Sequence, residues 1–195
     1  MLELAVLGLL KERPMHGYQL SRELGDALGG FWRVSYGTLY PSLRRLEREG
    51  AIEGLKSDES SKGRRKTVYR ITPEGERIFL DLLQEAPQEG QTEDARFRVR
   101  LAFFRYLPPE TRIRLLERRR QGLEERLTVI KESLRAAHEQ DDYQRSLMEH
   151  GRVATESDIA WLNGLLQTER TKAGVSPTGG SGRRATATLR RKEHT

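Results

Sequence analysis

The pattern of apolar and polar positions predicts three short amphipathic helices in the first fifty residues. Apolar residues recur every three or four positions in segments that span 2–11, 16–28 and 34–50. The second segment is expected to bury Tyr18, Leu20, Leu24 and Leu28. The third is expected to bury a stripe of leucines, Leu39, Leu43 and Leu46. Three short helices joined by tight turns are typical of a helix-turn-helix preceded by one extra helix.

The third segment also carries the capping residues of a helix. Ser35 has the side chain of an N-cap, and Gly50 follows the last leucine as a C-cap glycine would. Pro41 cannot donate the backbone hydrogen bond that would reach the Gly37 carbonyl, so we expect a slight kink or a short first turn. Taken alone, the segment fits an ordinary amphipathic surface helix equally well.

After Gly50 the periodicity changes to that of strands. The segments 51–56 and 67–71 contain β-formers and flank a polar loop with a glycine and several basic residues. This pattern predicts a two-stranded β-hairpin, the wing of a winged helix. Thr72, Pro73 and Glu74 then have the order of an N-cap, a first-position proline and a first-turn acid, so we expect another helix there. Its expected core residues are Ile78, Leu82 and Leu83.

The remaining chain predicts long, mostly polar helices. A polar stretch with proline and glycine places a linker at 87–94, between a first domain at 1–86 and a helical domain at 95–170. Apolar residues there follow two heptad seams, the second less apolar than the first. The seam residues expected to mediate dimerisation are Leu116, Leu123, Leu127, Ile130, Leu134, Leu147, Trp161 and Leu165. Such narrow stripes need a partner surface, which is either a second chain or an intramolecular helical hairpin packed on the first domain.

Composition narrows the classes of function. Lys and Arg number 35 against 29 Asp and Glu, and the net charge of +6 favours an anionic partner such as nucleic acid or a membrane surface. A mean hydropathy of -0.73 fits long polar helices better than a large core. No apolar run approaches the roughly 20 residues that span a bilayer, and the N-terminal segment does not resemble a signal peptide, so we expect a cytoplasmic protein. The absence of cysteine excludes disulfides, thiolate metal sites and cysteine nucleophiles.

The sequence offers little catalytic chemistry. The four histidines are far apart, and the chain contains no HExxH pair, no GxSxG elbow and no GxxxxGK[ST] loop. His16 lies just before a helix and suits a capping or packing role better than a ligand role. His150 lies on the second seam, where a partly exposed seam residue is favoured over a protonation-sensitive dimer contact. We therefore expect no enzymatic activity, no cofactor and no metal.

Three motifs occur in a characteristic order: LGLLKERPMHGYQL, then SYGTLYPSLRRLEREGAI, then GRRKTVYRITPEG. Together they resemble the PadR family of bacterial transcriptional regulators, closely over residues 2–76 and more loosely over 95–170. The resemblance implies a mainly α fold with an N-terminal winged helix-turn-helix and long C-terminal dimerisation helices. It does not extend to residues 171–195, whose glycines and few apolar residues predict a disordered basic tail. It implies a helix at 35–49 that enters the major groove and a wing at 62–66. Family members include repressors whose DNA affinity is relieved by phenolic or multidrug-like ligands.

These implications assign roles to individual residues on double-stranded DNA. We expect Tyr36, Thr38 and Arg45 to contact base edges. For Ser35, Tyr40 and Ser42 the choice between phosphate contact and buried packing stays open. The basic wing residues would lie along the backbone or enter a minor groove, and they are Lys62, Arg64, Arg65 and Lys66. A homodimer would place two such helices in successive major grooves of a pseudo-palindrome.

The alternative is a ligand-sensing or partner-binding helical dimer whose DNA contact is secondary and non-specific. Phe103, Phe104, Tyr106 and Trp161 could line an apolar pocket at the domain or dimer junction, or they could simply be core residues. The basic clusters of the tail either add non-specific DNA affinity or are merely solvated. A preference for the chain's own upstream promoter over random DNA would favour the regulator.

Overall fold

The computed structural model describes residues 1–27, 34–57, 66–85, 93–136 and 141–174. The first part of the chain contains α1 (Leu2–Glu12), β1 (Met15–His16), α2 (Gly17–Ala27), α3 (Tyr36–Arg48), β2 (Ile52–Ser57), β3 (Lys66–Ile71) and α4 (Pro73–Gln84). The second part contains α5 (Glu93–Ala102), a 3-10 turn (Phe104–Tyr106), α6 (Pro109–Ala136) and α7 (Asp142–Lys172). The chain divides into two compact units, Met1–Arg112 and Ile113–Thr195.

Helix α1 is the centre of the first unit. Every residue from Leu4 to Leu10 is buried, so this helix is apolar on all sides, as a core helix must be. In α2, Leu20 and Leu24 are buried as predicted, but Tyr18 is 65% exposed. The prediction for Tyr18 was wrong because it is two positions from Leu20, which puts the two side chains on opposite faces of a helix. Leu28 lies outside the described residues.

The sheet contains one strand more than the predicted two-stranded wing. Its order is β1-β3-β2 and both pairings are antiparallel. In the added pairing Met15 lies opposite Tyr69. A strand of two residues has no periodicity that a sequence pattern could reveal, which explains why the prediction missed it.

The predicted caps of α3 are confirmed. The Ser35 Oγ accepts a hydrogen bond from the Thr38 N–H at 3.2 Å, and all three leucines of the stripe are buried. At the other end Gly50 has φ of 71°, and the N–H of Ala51 donates to the Leu46 carbonyl at 2.9 Å. This left-handed glycine with a bond back to the last turn is a Schellman motif, and it turns the chain sharply from α3 into β2.

Helix α4 begins at the predicted N-cap. Thr72 Oγ1 accepts from the Gly75 N–H at 3.1 Å, and Pro73 is the first helical residue. The buried residues of the helix include Phe79 and Leu83. The predicted core residues Ile78 and Leu82 are only half-buried, so the buried face lies one position further along the chain than expected.

Helix α4 approaches the sheet most closely at Gly75. A side chain there would overlap the carbonyl oxygen of Ala51 and lie 2.8 Å from Ile71 Cγ1. The Thr72 hydroxyl donates to the Gly50 carbonyl at 2.6 Å, and the Thr72 N–H donates to the Ala51 carbonyl at 3.1 Å. The end of α3, the start of β2 and the start of α4 therefore meet at one point that has no room for a side chain.

Helix α5 and the 3-10 turn belong to the first unit. A Cβ on Gly8 of α1 would lie within 2.7 Å of three atoms of the Phe103 ring, so Phe103 fills the space above that glycine. The ring centroids of Phe79 and Phe103 are 5.8 Å apart, and those of Phe79 and Tyr106 are 5.5 Å apart. The units therefore divide after Arg112, beyond the linker predicted at 87–94, because these aromatic residues complete the first core.

In the second unit α6 and α7 form an antiparallel hairpin. Glu117 pairs with Arg170 at 2.6 Å near one end, and Lys131 pairs with Glu156 at 2.9 Å near the other. The buried apolar residues of this unit are leucines, namely Leu116, Leu123, Leu162 and Leu166. Such a hairpin was part of the intramolecular alternative, and association of the pair with a second chain stays a prediction. Helix α7 ends at Lys172, so the first two residues of the tail predicted at 171–195 are helical instead. Residues 175–195 lie outside the described residues.

None of the helices in the described ranges is long and apolar enough to cross a bilayer.

Candidate nucleic-acid interface

The N-terminal half of α3 presents an exposed polar face. Ser35, Tyr36 and Thr38 are exposed, while Leu39, Leu43 and Leu46 anchor the opposite face in the core. The Ser35 and Thr38 hydroxyl oxygens are 3.0 Å apart, so one donates to the other. Hydroxyl and phenol groups on one side of a firmly anchored helix can donate to and accept from phosphates and base edges.

Two tyrosines stack on this face. The rings of Tyr36 and Tyr40 have centroids 6.2 Å apart and an angle of 28° between their planes. Tyr40 in turn lies against Gly17 at the start of α2, where an added Cβ would be 3.0 Å from the Tyr40 ring. Tyr40 thus packs between the two helices of the helix-turn-helix and supports the outer ring, Tyr36.

Two of the predicted contact residues are engaged within the protein. Ser42 is 9% exposed and its Oγ has no hydrogen-bond partner among the described residues, so the structure favours packing over phosphate contact. Arg45 is half-exposed and forms an ion pair with Glu3 of α1. A base contact by Arg45 would therefore have to replace a carboxylate that already neutralises the guanidinium.

The predicted wing contacts fall mostly beyond what the structure describes. Lys62, Arg64 and Arg65 lie outside the described residues, and of Lys66 only the backbone, the first position of β3, is described. An ion pair joins the two strands at the base of the wing. Arg70 pairs with Glu53 across β2 and β3 at 2.7 Å.

His16 joins this base to the start of α2. One ring nitrogen, Nδ1, lies 3.2 Å from the Thr67 carbonyl oxygen, and the His16 N–H donates to Gln19 Oε1 at 2.9 Å. These contacts fit the packing role expected for this histidine.

A contact that the sequence did not suggest joins α3 to the wing. The Glu47 carboxylate accepts a hydrogen bond from the Gly54 N–H of β2 at 3.1 Å. Tyr69 faces Gly54 across the ladder, and its pKa is raised, first by burial and then by the nearby charges of Glu47 and Tyr40. One feature of the sequence points to this contact. The negative charge of Glu47 near the C-terminal end of a helix is unfavourable and favours a compensating partner.

The predicted dimerisation residues differ in how far they are exposed to solvent. Leu116 and Leu123 are buried within the chain, whereas Leu127, Ile130, Leu134 and Leu165 are half-buried. Leu147 is 72% exposed and Trp161 is 47% exposed. With Tyr143, which is also exposed, these two residues follow a heptad spacing along α7.

The four aromatic residues proposed to line an effector pocket occupy different units. Phe103 and Phe104 are buried in the first unit, and Tyr106 is half-buried against Phe79. Trp161 belongs to the second unit. The structure therefore uses the first three as core residues, which was the other interpretation of the sequence.

Known proteins resemble this chain over both units. Residues 6–81 match the family model described as transcriptional regulator PadR-like family, and residues 95–168 match the model described as virulence activator alpha C-term. A transcriptional regulator of Mycobacterium tuberculosis is 39% identical over an alignment of 98 residues, which covers 47% of this chain and 87% of that protein. The chain belongs to the PadR-like family of transcriptional regulators.

One further relative of this PadR-like protein extends the comparison in sequence and in structure. The negative transcriptional regulator PadR of Bacillus subtilis is 25% identical over 174 residues, 85% of this chain and 95% of that protein. The crystal structure of the same Bacillus subtilis protein in complex with operator DNA matches with 21% identity and a TM-score of 0.44, covering 86% of this chain and 98% of that one. The relatives with a named function are transcriptional regulators, and this PadR-like protein is a transcriptional regulator.

Proposed function

We propose that this PadR-like protein is a repressor that acts as a homodimer on a pseudo-palindromic operator and is released by a small-molecule effector. The observation that carries the proposal is the exposed polar face of α3, where Tyr36 and Thr38 stand on a helix anchored by buried leucines. Such a helix fits a major groove, and each protomer would contact one half-site. The proposed site of action is the cytoplasm.

Within each half-site the side chains divide into two roles. Tyr36 and Thr38 contact base edges, and Arg45 joins them where a base displaces Glu3. Ser35 and Tyr40 lie beside these residues and contact phosphates, as do the basic residues of the wing. If about four wing cations per chain neutralise phosphates, a dimer loses affinity with a log-log salt slope on the order of -7 from the wing alone.

The apolar stripe of α7 is the proposed dimer contact. Leu147 and Trp161 are exposed although they share a heptad spacing, while a different stripe, which includes Leu162 and Leu166, is already buried within the chain. An exposed apolar stripe beside a filled one favours association with a second copy of the same helix. The half-buried residues of α6, such as Leu127 and Ile130, would lie at the margin of this contact.

Repression and relief by an effector have separate support. The relative from Bacillus subtilis is named a negative transcriptional regulator. An effector would be a flat apolar molecule, because Trp161 offers an exposed aromatic surface on the proposed dimer stripe. A ligand bound there would change DNA affinity only by binding one state of the dimer better than the other.

Selection of bound duplexes from a random pool tests the proposal. A homodimeric regulator should enrich two inverted half-sites whose centres lie about one helical turn apart. Neutralising the four basic wing residues should weaken binding to selected and random DNA alike and reduce the salt slope. If the purified protein shows no preference for any sequence at about 0.15 M salt, the proposed function is wrong.

A further inference from the structure

The last turn of α3 is tied to the edge of the sheet by one side chain. The Glu47 carboxylate accepts a hydrogen bond from the Gly54 N–H of β2 at 3.1 Å. Strand β2 is an outer strand of the order β1-β3-β2, so alternate N–H groups along it point away from the sheet. Because the Thr72 N–H donates to the Ala51 carbonyl, the hydrogen-bonded pairs fall at odd positions of β2. The Gly54 N–H therefore points outward, and a carboxylate from α3 satisfies it.

Gly54 is the residue type that this contact requires. A Cβ at this position would lie 2.6 Å from Glu47 Oε1 and 2.9 Å from Thr67 Cγ2. A larger residue here would displace the Glu47 carboxylate from the strand and crowd the Thr67 side chain. The sequence thus combines an acid on the helix with a glycine on the strand, and the two meet.

An acid at this position is electrostatically unfavourable, and the hydrogen bond to Gly54 offsets this cost. The C-terminal end of a helix carries partial negative charge, and a surface that meets DNA also disfavours a carboxylate. Arg44 lies one turn before Glu47 and Arg48 follows it directly, yet the carboxylate bonds to the strand backbone. A hydrogen bond to an ionised acceptor is about twice as strong as a neutral one, so it can hold a strand in place.

The same cluster reaches the exposed face of α3. Tyr69 lies opposite Gly54 in the ladder and is buried, and both Glu47 and Tyr40 raise its pKa after burial itself. Tyr40 carries the stacked Tyr36 ring. The charges of the helix face and of the helix end therefore both act on a tyrosine at the base of the wing.

We propose that Glu47 is a positioning residue for operator recognition. By holding β2 through the Gly54 N–H, it fixes the position of the wing relative to α3. The wing can then contact phosphates while the helix contacts bases at one register along the DNA. This inference rests on the proposed function, in which both elements contact the same DNA. A group held in register loses less conformational entropy when the specific complex forms.

The register affects specific binding more than non-specific binding. Without Glu47 the wing cations still find phosphates, because phosphates repeat along any duplex. The base contacts of α3, in contrast, need one particular placement of the helix while the wing is bound. Loss of Glu47 should therefore lower the ratio of operator affinity to random-DNA affinity.

Three variants separate this role from the charge of the side chain. Glu47→Ala removes both the charge and the acceptor, Glu47→Gln removes the charge but keeps an acceptor, and Glu49→Ala removes a neighbouring exposed charge. The readout is the ratio of affinities for a duplex selected by the wild-type protein and for random DNA. All three should bind random DNA somewhat more tightly, since each removes one negative charge. Glu47→Ala alone should lower the ratio, by about tenfold, the order expected for a lost base contact.

Exchange of the Gly54 amide hydrogen provides a readout without DNA. The amide should be protected in the wild type and in Glu47→Gln and should exchange freely in Glu47→Ala. Gly54→Ala keeps the carboxylate but blocks its approach, and it should lower the ratio as Glu47→Ala does, which covers the case in which Glu47→Ala does not fold.

Two results would overturn the inference. One is an affinity ratio in Glu47→Ala equal to that of Glu47→Gln, and the other is an equally protected Gly54 amide in both. If instead the wild-type protein selects no sequence at all, the proposed function itself fails. The two failures are therefore distinguishable.

Discussion

Ser35 has two roles at the start of α3. It caps the helix through the Thr38 N–H, and its hydroxyl is exposed beside Tyr36 on the face proposed to meet DNA. The cap is a matter of stability and the exposed position a matter of binding. Substitutions can separate the two because the cap needs only an acceptor oxygen.

Replacing Ser35 with alanine or with aspartate should give different results. Ser35→Ala loses the cap and should lower the free energy of unfolding by about 1 kcal/mol, measured by urea denaturation. Ser35→Asp keeps an acceptor and should retain near wild-type stability, but its charge should weaken DNA binding in a mobility-shift assay. Undiminished DNA binding by Ser35→Asp would show that this residue is distant from phosphate.

Residue-level properties with local causes were predictable from the sequence. The caps at Ser35 and Thr72 depend on neighbours three positions away, and the leucine stripe of α3 depends on helical spacing alone. The pairing of Arg45 with Glu3 was not predictable, because it joins residues of two different helices. Glu47 and Gly54 are only seven residues apart in the sequence, but their contact depends on the sharp turn at Gly50 between them.

At the scale of elements, long-range packing decides what local patterns leave open. Strand β1 pairs with a strand that follows about fifty residues later, so nothing near Met15 announces it. The helical pattern of α5 was visible, but its place in the first unit depends on Phe103 meeting Gly8. A sequence pattern shows that an apolar face exists without showing which surface covers it.

The fit of Phe103 over Gly8 can be tested with two glycines. Gly8→Ala should lower the free energy of unfolding by about 1 to 3 kcal/mol, because the methyl group would overlap the Phe103 ring. Gly122→Ala is the matched control in α6, where a Cβ meets nothing within 4 Å, and it should raise stability by about 0.5 to 1 kcal/mol. Equal effects of the two changes would contradict the packing described for α5.

Helix α7 carries a charge network that should make its hairpin sensitive to acid. A hydrogen bond from Arg152 lowers the pKa of Glu149, and one from Lys131, followed by the charge of Arg152, lowers the pKa of Glu156. Since both values lie below the ordinary 4.5, the contribution to stability is complete above that pH and is lost as the pH falls through the lowered values.

Thermal unfolding at several pH values measures this effect. The melting temperature should fall as the pH drops below 4.5, and a Glu149→Gln, Glu156→Gln double variant should show a smaller fall over the same range. Glu74 also has a lowered pKa, because of Arg77, and remains in both proteins, so the difference between them isolates the network. An identical pH dependence in the two proteins would rule out a contribution from these carboxylates.

At the scale of the whole molecule, the exposed stripe of α7 determines how the protein should assemble. The hairpin buries leucines within each chain and still leaves Leu147 in solvent. We expect two chains to meet along this stripe, which would bring two copies of the α3 face onto one operator.

A charge placed on the stripe should separate the chains. Leu147→Glu should shift the protein from dimer to monomer in analytical ultracentrifugation and reduce operator affinity, since one half-site alone would then be bound at a time. Gln167→Glu is the control, because it adds the same charge to an exposed polar position of the same helix. A Leu147→Glu protein that remains dimeric would place the dimer contact elsewhere.

The crowded point at Gly75 has a consequence for the evolution of this architecture. A side chain there would overlap the Ala51 carbonyl whatever DNA the protein binds, so selection should retain glycine at this position in every descendant that keeps the fold. Tyr36 and Thr38 face solvent and are free to change as operators diverge. In an alignment of homologues, position 75 should therefore remain glycine. Positions 36 and 38 should vary with the promoter that each lineage came to control.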